Sequence, residues 1–416
     1  MEKLGEKVIL IAVETRANEG TIESSLAELK ELGNTAGVET VGIITQKRES
    51  IKSATYIGKG KIEEVRNLVF KTGADGIITD DELTPAQLKN LSEQLDTKIM
   101  DRTMVILDIF AKRASTKEGS IQVELAQLQY RSSRLVGLGQ SFSRSGGGIG
   151  TRGPGETKLE TNRRNIRNRI NQLRSELEVI ETHRNLIRTK RKSNDIVNVA
   201  IVGYTNAGKS TLLNKISKAD VLVEDKLFAT LDATTRNVEL LEGTQILLTD
   251  TVGFINKLPH HLIKAFRSTL EEAKFADIIL HVVDSSDEEK EKYMNVTYET
   301  LEKLGVKDKT IITVYNKVDK LEDEELLEDE RAKYVVNISA KNGEGIDQLL
   351  KTIDKVIKAD RKVIKHTFSY DMGSLVQNIR ETGQIIKEEY MNEGTYIEAY
   401  VNDEIYNKVS RIQKNN

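Results

Sequence analysis

The chain has 416 residues, 38% of them apolar, and a net charge of −3, so it can bury several cores and, at roughly 150 residues per domain, form two to four domains. It has no cysteine, which excludes disulfides and cysteine nucleophiles, while His183, His260, His261, His281 and His366 lack zinc-type spacing, so neither zinc nor iron is expected. The apolar run from Val8 to Val13 is too short for a signal peptide, and nothing approaches the roughly 20 apolar residues of a membrane span, which points to a soluble cytoplasmic protein.

From Lys7 to about Phe110, short β-branched runs alternate with helical periodicity: VILIAV, then Ile22 to Leu32, VETVGII, Ile62 to Phe70, and DGIITD. Alternation of this kind reads as βαβ units over a parallel sheet. Thr84 with Pro85 behind it opens a further helix through Leu88, Leu91 and Leu95. Residues 1–117 are thus expected to form a small α/β domain.

The pattern then changes. Ile121, Leu125, Leu128, Ser132 and Leu135 recur at steps of four and three, as do Ile166, Ile170, Leu173, Leu177, Ile180, Arg184 and Ile187. Both are heptad seams. Between them Gly137 to Gly155 carries eight glycines in nineteen residues, so residues 118–193 read as an antiparallel helical hairpin with a glycine-rich tip. A second helix continuous from Glu156 to Arg191 would be about 54 Å long. From Arg131 to Ser193 there are fifteen Lys and Arg against five Asp and Glu, a net of +10 that leaves −13 elsewhere. The acid-free cluster Asn162 to Arg169, with Arg144 and Arg152 in the glycine loop, points to a nucleic-acid partner. A hairpin that buries its own seam favours a monomer.

Residues 194–361 return to alternating strands and helices. The strand Val197 to Val202 runs into Gly203-Tyr204-Thr205-Asn206-Ala207-Gly208-Lys209-Ser210, and Thr211 continues into a helix. GxxxxGK[ST] between strand and helix is a phosphate-binding loop: backbone N–H groups converge on the phosphates, Lys209 reaches the β- and γ-phosphates, and Ser210 holds Mg²⁺. Asp250-Thr251-Val252-Gly253 ends the strand TQILLTD, 41 residues after the lysine. Asp250 is placed there to bind Mg²⁺ through water, and Gly253 to let a backbone N–H approach the γ-phosphate. Asn316-Lys317-Val318-Asp319 ends another strand, and a carboxylate at Asp319 accepts from guanine N1–H and the exocyclic amine, a donor pair that adenine lacks. Ser339-Ala340-Lys341 would close over the base. GTP is the expected substrate and GDP the product. Residues 362–416 read as strand, helix, strand, strand, helix, a small α+β module without a chemical motif.

These motifs resemble the translation-factor class of P-loop GTPases. GYTNAGKSTLLN, FATLDATTR and DTVGFI are similar to the HflX family, a branch allied to the Obg GTPases, and so are YIGKGKIEE, DRTMVILDIFAKRASTKEGSIQVELAQLQY and GGGIGTRGPGETKLETNRR. The resemblance runs to about Arg361. It implies a P-loop GTPase domain of Rossmann-like α/β architecture behind the α/β domain and the hairpin arm. In Phe228-Ala229-Thr230-Leu231-Asp232 it implies a nucleotide-binding switch segment, with Thr230 completing the Mg²⁺ shell and sensing the γ-phosphate. Thr234 and Thr235 are rivals that spacing leaves open. Lys209, Thr230 and Gly253 are then the residues that act on the γ-phosphate. Phe254 stands where many GTPases have a glutamine that orients the attacking water, so slow unassisted hydrolysis and stimulation by a partner are expected.

The resemblance also implies that partner: the large ribosomal subunit and its ribosomal RNA, reached by the basic arm and glycine-rich loop, with separation of stalled or stressed ribosomes as the activity. For some members it implies a second, ATP-handling activity in the N-terminal domain, where Gly58-Lys59-Gly60-Lys61 precedes a helix. A GTPase of another RNA process, and a regulatory switch with a protein partner, are the alternative readings.

Overall fold

The computed structural model describes residues 5–142, 154–193, 196–217, 227–228, 231–241, 243–257, 267–306, 308–321, 327–359 and 361–415. It divides into two compact units. The first comprises Met1–Glu181 together with Glu224–Asp232 and Ile255–Ser268, and the second holds the remainder.

In the first unit, β1 (Lys7–Glu14), α1 (Ile22–Ala36), β2 (Glu39–Lys47), α2 (Lys59–Thr72), β3 (Gly76–Thr79), α3 (Pro85–Leu95), β4 (Lys98–Asp101) and α4 (Arg102–Arg113) alternate. The four strands form a wholly parallel sheet in the order β2-β1-β3-β4. Every residue from Val8 to Val13 is buried, the mark of a central strand covered on both faces. Helix α3 begins as its sequence predicts: Thr84 accepts from the Gln87 N–H, and Gln87 reaches back to the Thr84 N–H, with Pro85 in the first turn.

At the carboxyl ends of β3 and β4 the sheet carries buried charge. Asp80 is fully buried and accepts from both Ser25 Oγ and Arg102 Nη1, the latter at 2.7 Å. The same guanidinium pairs with Glu28, and the Lys257 ammonium also reaches Asp80. Burial pushes the Asp80 carboxyl up, and Arg102, Lys257 and Ser25 together outweigh it, so its pKa lies below the usual carboxylate value. Asp101, also fully buried, caps α4 through the Met104 N–H and accepts from Tyr130 and Arg134.

Helices α5 (Lys117–Phe142) and α6 (Pro154–Ser193) form the arm. Ile121 and Leu125 of α5 pack with Ile170 and Leu173 of α6, flanked by Leu128, Ile166, Leu177 and Ile180, and Arg169 grips Glu124 with two hydrogen bonds of 2.7 and 2.8 Å. The two heptad seams thus meet in one core. The tip, residues 143–153, lies outside the described residues.

The second unit contains β5 (Val197–Gly203), α7 (Lys209–Ser217), β6 (Thr234–Glu239), β7 (Gln245–Asp250), α8 (Arg267–Phe275), β8 (Ile278–Asp284), α9 (Lys290–Lys303), β9 (Thr310–Asn316), β10 (Tyr334–Asn337) and α10 (Ile346–Ala359). The six strands run β10-β9-β8-β5-β7-β6, and β6 alone is antiparallel to its neighbour. One core lies between the sheet and α7 and α10, around Ile201, Leu213, Leu248, Val314 and Ile353. On the other face, Val202, Phe254, Ala273, Ile279 and Leu301 pack together. The chain ends in β11 (Lys362–Phe368), α11 (Gly373–Thr382), β12 (Gln384–Met391), β13 (Gly394–Val401) and α12 (Asp403–Asn415). This antiparallel sheet, ordered β11-β13-β12, buries Phe368, Ile379, Ile397 and Val409 in its own core.

Replacing Arg102 by Met takes the buried guanidinium from Asp80 and Glu28, with Lys257 still paired to Asp80. Removing one partner of a buried pair typically costs roughly 3–5 kcal/mol. Urea unfolding of Arg102→Met should show a loss of that order, and a loss below about 1 kcal/mol would contradict the account.

Candidate nucleotide site

The site residues of the second unit stand at the carboxyl ends of its parallel strands, where an open α/β sheet offers a crevice. Gly203 ends β5, Asp250 ends β7 and Asn316 ends β9. The phosphate-binding loop leaves β5 and returns into α7, whose first residue is Lys209.

Lys209 is buried and its ammonium donates to the Tyr204 carbonyl at 2.6 Å. Burial lowers its pKa to about 8, against an opposing pull from Asp250. Ser210 Oγ donates to Asp250 Oδ2 at 2.7 Å, so these two oxygens face each other. Past Asp250, Thr251 is buried and its hydroxyl donates to the Ile201 carbonyl. The chain then pairs with the loop itself: the Phe254 N–H donates to Gly203 O at 3.0 Å and the Thr205 N–H to Phe254 O at 2.8 Å. Gly253 is squeezed by this stapling. A Cβ there would lie 2.8 Å from Thr205 Cγ2 and 2.9 Å from Lys209 Nζ, so a side chain at this position would push on Lys209.

Phe254 is only 1% exposed, and it packs with Ala200, Val202, Tyr204 and Ile279 in the core on the far face of the sheet. The side chain in the glutamine position is therefore part of the hydrophobic core.

Asn316 joins two motifs. Its Nδ2 donates to the Ala207 carbonyl at 2.8 Å, and its Oδ1 accepts from the Ala340 N–H at 2.9 Å. The phosphate-binding loop and the Ser339-Ala340-Lys341 turn thus hang on one side chain. Lys317 adopts a left-handed backbone, φ 67°, and its ammonium pairs with Asp284 Oδ2 at 2.6 Å. Val318 and Asp319 follow in a 3₁₀ turn that leaves Asp319 exposed. Ser339 and Ala340 are buried and Lys341 is exposed.

The segment from Phe228 to Asp232 belongs to the first unit. Phe228 and Leu231 are buried, and the Phe228 ring meets Phe110 edge-on at 4.7 Å. Asp232 accepts hydrogen bonds from Ser115 and Thr116. Ala229 and Thr230 lie outside the described residues. Of the rival threonines, Thr235 shares a 2.9 Å hydrogen bond with Thr249, and Thr234 lies opposite Asp250 in the β6–β7 ladder.

Three family models match consecutive stretches of the chain: a GTP-binding GTPase N-terminal region over residues 23–111, a GTP-binding GTPase middle region over residues 113–191, and a 50S ribosome-binding GTPase domain over residues 198–317. The GTPase HflX of Lacrimispora saccharolytica is 55% identical over 406 residues, 98% of this chain and 96% of that protein. This chain belongs to the HflX family. The GTPase HflX of Caldanaerobacter subterraneus subsp. tengcongensis is 51% identical, over 97% of this chain and 94% of its own, and that of Escherichia coli K12 is 41% identical, over 87% and 85%. Like the family, the protein is a GTPase that binds and hydrolyses GTP.

Two features of this HflX-family GTPase were not singled out from its sequence: the Asp284 carboxylate that holds Lys317, and the partners of Asp232. Asp284 sits at the end of β8 like the motif residues at the ends of β7 and β9, and that position was the available signal. In the N-terminal domain, the Gly58 N–H donates to Gln46 Oε1 at 2.8 Å, and Lys61 pairs with Glu64.

Two substitutions test this geometry. Asn316→Ala removes both ties, and at about 1 kcal/mol per hydrogen bond GDP and GTP affinity should each fall roughly 30-fold, as read by titration with a fluorescent nucleotide. Phe254→Gln puts an amide into an apolar core. It should cost roughly 3–5 kcal/mol of stability and bring no gain in single-turnover hydrolysis, and a faster rate would show that residue 254 can reach the water.

Proposed function

We propose that this GTPase works on Mg²⁺-GTP and associates with the large ribosomal subunit, where the ribosome stimulates hydrolysis and the protein helps to separate stalled or stressed ribosomes. The observation that carries this reading is the basic hairpin arm in a chain whose family model is described as a 50S ribosome-binding GTPase. Arg164, Arg167 and Arg174 are exposed along α6, as a helix that meets RNA phosphates requires. A cytoplasmic location follows from such a partner.

Hard oxygen donors support the metal: Ser210 Oγ and the Asp250 carboxylate, 2.7 Å apart, are the ligand chemistry that Mg²⁺ prefers. Bound there, Mg²⁺ would neutralise charge on the β- and γ-phosphates. In this reading Lys209 holds those phosphates, the Gly253 N–H meets the γ-phosphate, Thr230 senses it, and Asp319 selects guanine beneath the Ser339-Ala340-Lys341 turn. With Phe254 in the core, the attacking water is oriented by other groups, and the ribosome is the source we assign to the missing assistance.

Co-sedimentation with separated ribosomal subunits tests the reading. The protein should pellet with the large subunit in the presence of a non-hydrolysable GTP analogue and much less with GDP. Raising salt from 50 to 200 mM should release it steeply, by a factor of about 10³ if six or so phosphates are contacted. Arg164→Ala with Arg167→Ala should flatten that salt dependence. No association with the large subunit in the GTP state would overturn the proposal.

A further inference from the structure

Strand β8 ends in Asp284, and the two serines that follow turn back onto the motif Asn316-Lys317-Val318-Asp319. Ser285 is buried and holds the Asn316 carbonyl twice, its N–H donating at 2.9 Å and its hydroxyl at 2.8 Å. Asp284 divides its carboxylate between two partners. Its Oδ1 accepts from the Ser286 N–H at 3.1 Å and the Ser286 hydroxyl at 2.7 Å, while its Oδ2 takes the Lys317 ammonium at 2.6 Å. An aspartate that accepts from the N–H two residues on closes a local turn, so the carboxylate that meets the lysine is itself held in place. Residues 284–286 thus grip the first two members of the motif, one by its backbone and one by its side chain.

The grip on Lys317 sets the course of a whole side chain. Lys317 follows the end of β9, and its ammonium is bound at the end of β8, the neighbouring strand. Its four methylenes therefore span the carboxyl ends of two adjacent strands, two residues before Asp319. A lysine stem is apolar along its length and charged only at its head. Held at both ends, it forms a fixed apolar rail. The Lys317 and Asp284 side chains are 20% and 21% exposed, so the pair is largely shielded from solvent. A purine base has a polar edge and an apolar face, and a carboxylate that reads the edge leaves the face to be covered by something else.

We propose that Asp284 is a positioning residue for guanine recognition: by holding the Lys317 ammonium it lays the lysine stem against the face of the base. The proposal rests on the reading of Asp319 as the carboxylate that selects guanine. Contact with a purine face is blind to the exocyclic groups on its edge. Asp284 therefore adds affinity that purine nucleotides share, and leaves the choice among them to Asp319. Ser285 serves the same end by fixing the backbone from which Lys317 departs.

Titration of the full chain with GDP and with inosine diphosphate, which lacks the exocyclic amine, separates the two roles. Asp284→Asn keeps the shape and an acceptor for Ser286 while losing the charge. It should weaken both nucleotides alike, by about tenfold, the worth of one well-made contact, and leave the ratio of the two affinities within about twofold. Single-turnover hydrolysis at saturating GTP should change by less than about threefold. Lys317→Met breaks the pair from the other side and should cost a similar amount. In that background Asp284→Asn should have less than about a twofold further effect, because a residue that acts through Lys317 then has nothing to act on. An undiminished loss in the Lys317→Met background, a shifted ratio of GDP to inosine diphosphate, a larger fall in saturated hydrolysis, or no loss of affinity overturns the proposal. The underlying reading is tested apart from it: Asp319→Asn should shift preference from GDP towards xanthosine diphosphate, whose C2 carbonyl can accept from the asparagine amide. An unchanged preference there defeats the guanine reading itself, whereas a shifted preference with no effect of Asp284→Asn defeats the positioning role alone.

Discussion

The Asn316 side chain has an acceptor oxygen and a donor nitrogen, and each is bonded to the backbone of another motif, Ala340 and Ala207. A phosphate-binding loop works by aiming backbone N–H groups, and backbone is held only by what its remaining carbonyls and neighbouring turns can bind. Asn316 can meet that need because it ends β9, two strands from β5 in the sheet, with β8 between them. The sheet order therefore precedes the site: without β8 and β9 in parallel register beside β5, no side chain at position 316 could reach residue 207. The Phe254 and Thr205 backbone pairs provide the same restraint from the β7 side, so the loop is tied on both flanks by the protein's own backbone and side chains.

The first unit solves a different problem. A small parallel sheet whose central strands are buried on both faces brings polar residues together at its carboxyl edge. Asp80 and Asp101 sit there fully buried, and each is matched by an arginine and hydroxyl donors. Buried ion pairs seldom add much stability over apolar packing, but one left unmatched is costly. Their effect is selectivity: only a chain that brings Arg102, Arg134 and Lys257 to these carboxylates can close this edge. Lys257 lies 177 residues from Asp80 in the chain, so the cluster gathers parts that are remote in sequence.

That distance explains what could be read from the sequence. The alternation of strands and helices, the Thr84 cap and the two seams of the arm were legible because each is written within a few residues, in periodicity or in a cap signal. The P-loop, Asp250 and Asn316 were legible at strand ends for the same reason. The partners of Asp80 and Asp232 were not, since hydrogen bonds to Lys257 and Thr116 depend on tertiary placement that no local pattern carries. Phe254 falls between these cases. Its chemistry was readable, and its direction was not, because whether a residue just past a strand end faces the ligand or the core depends on the pairing of that segment with the phosphate-binding loop.

Phe254 also links the two halves of the argument. A glutamine aimed at the site from this position would need the backbone to turn the other way, and the Gly203 and Thr205 hydrogen bonds forbid it. The same bonds press Gly253 against Lys209, so the feature that organises the phosphate side of the site is the one that turns residue 254 into the core. A GTPase built like this gains a well-held phosphate loop and gives up a built-in water-orienting side chain at that position. Orientation of the attacking water lost at one fixed position has to come from groups other than the side chain of residue 254.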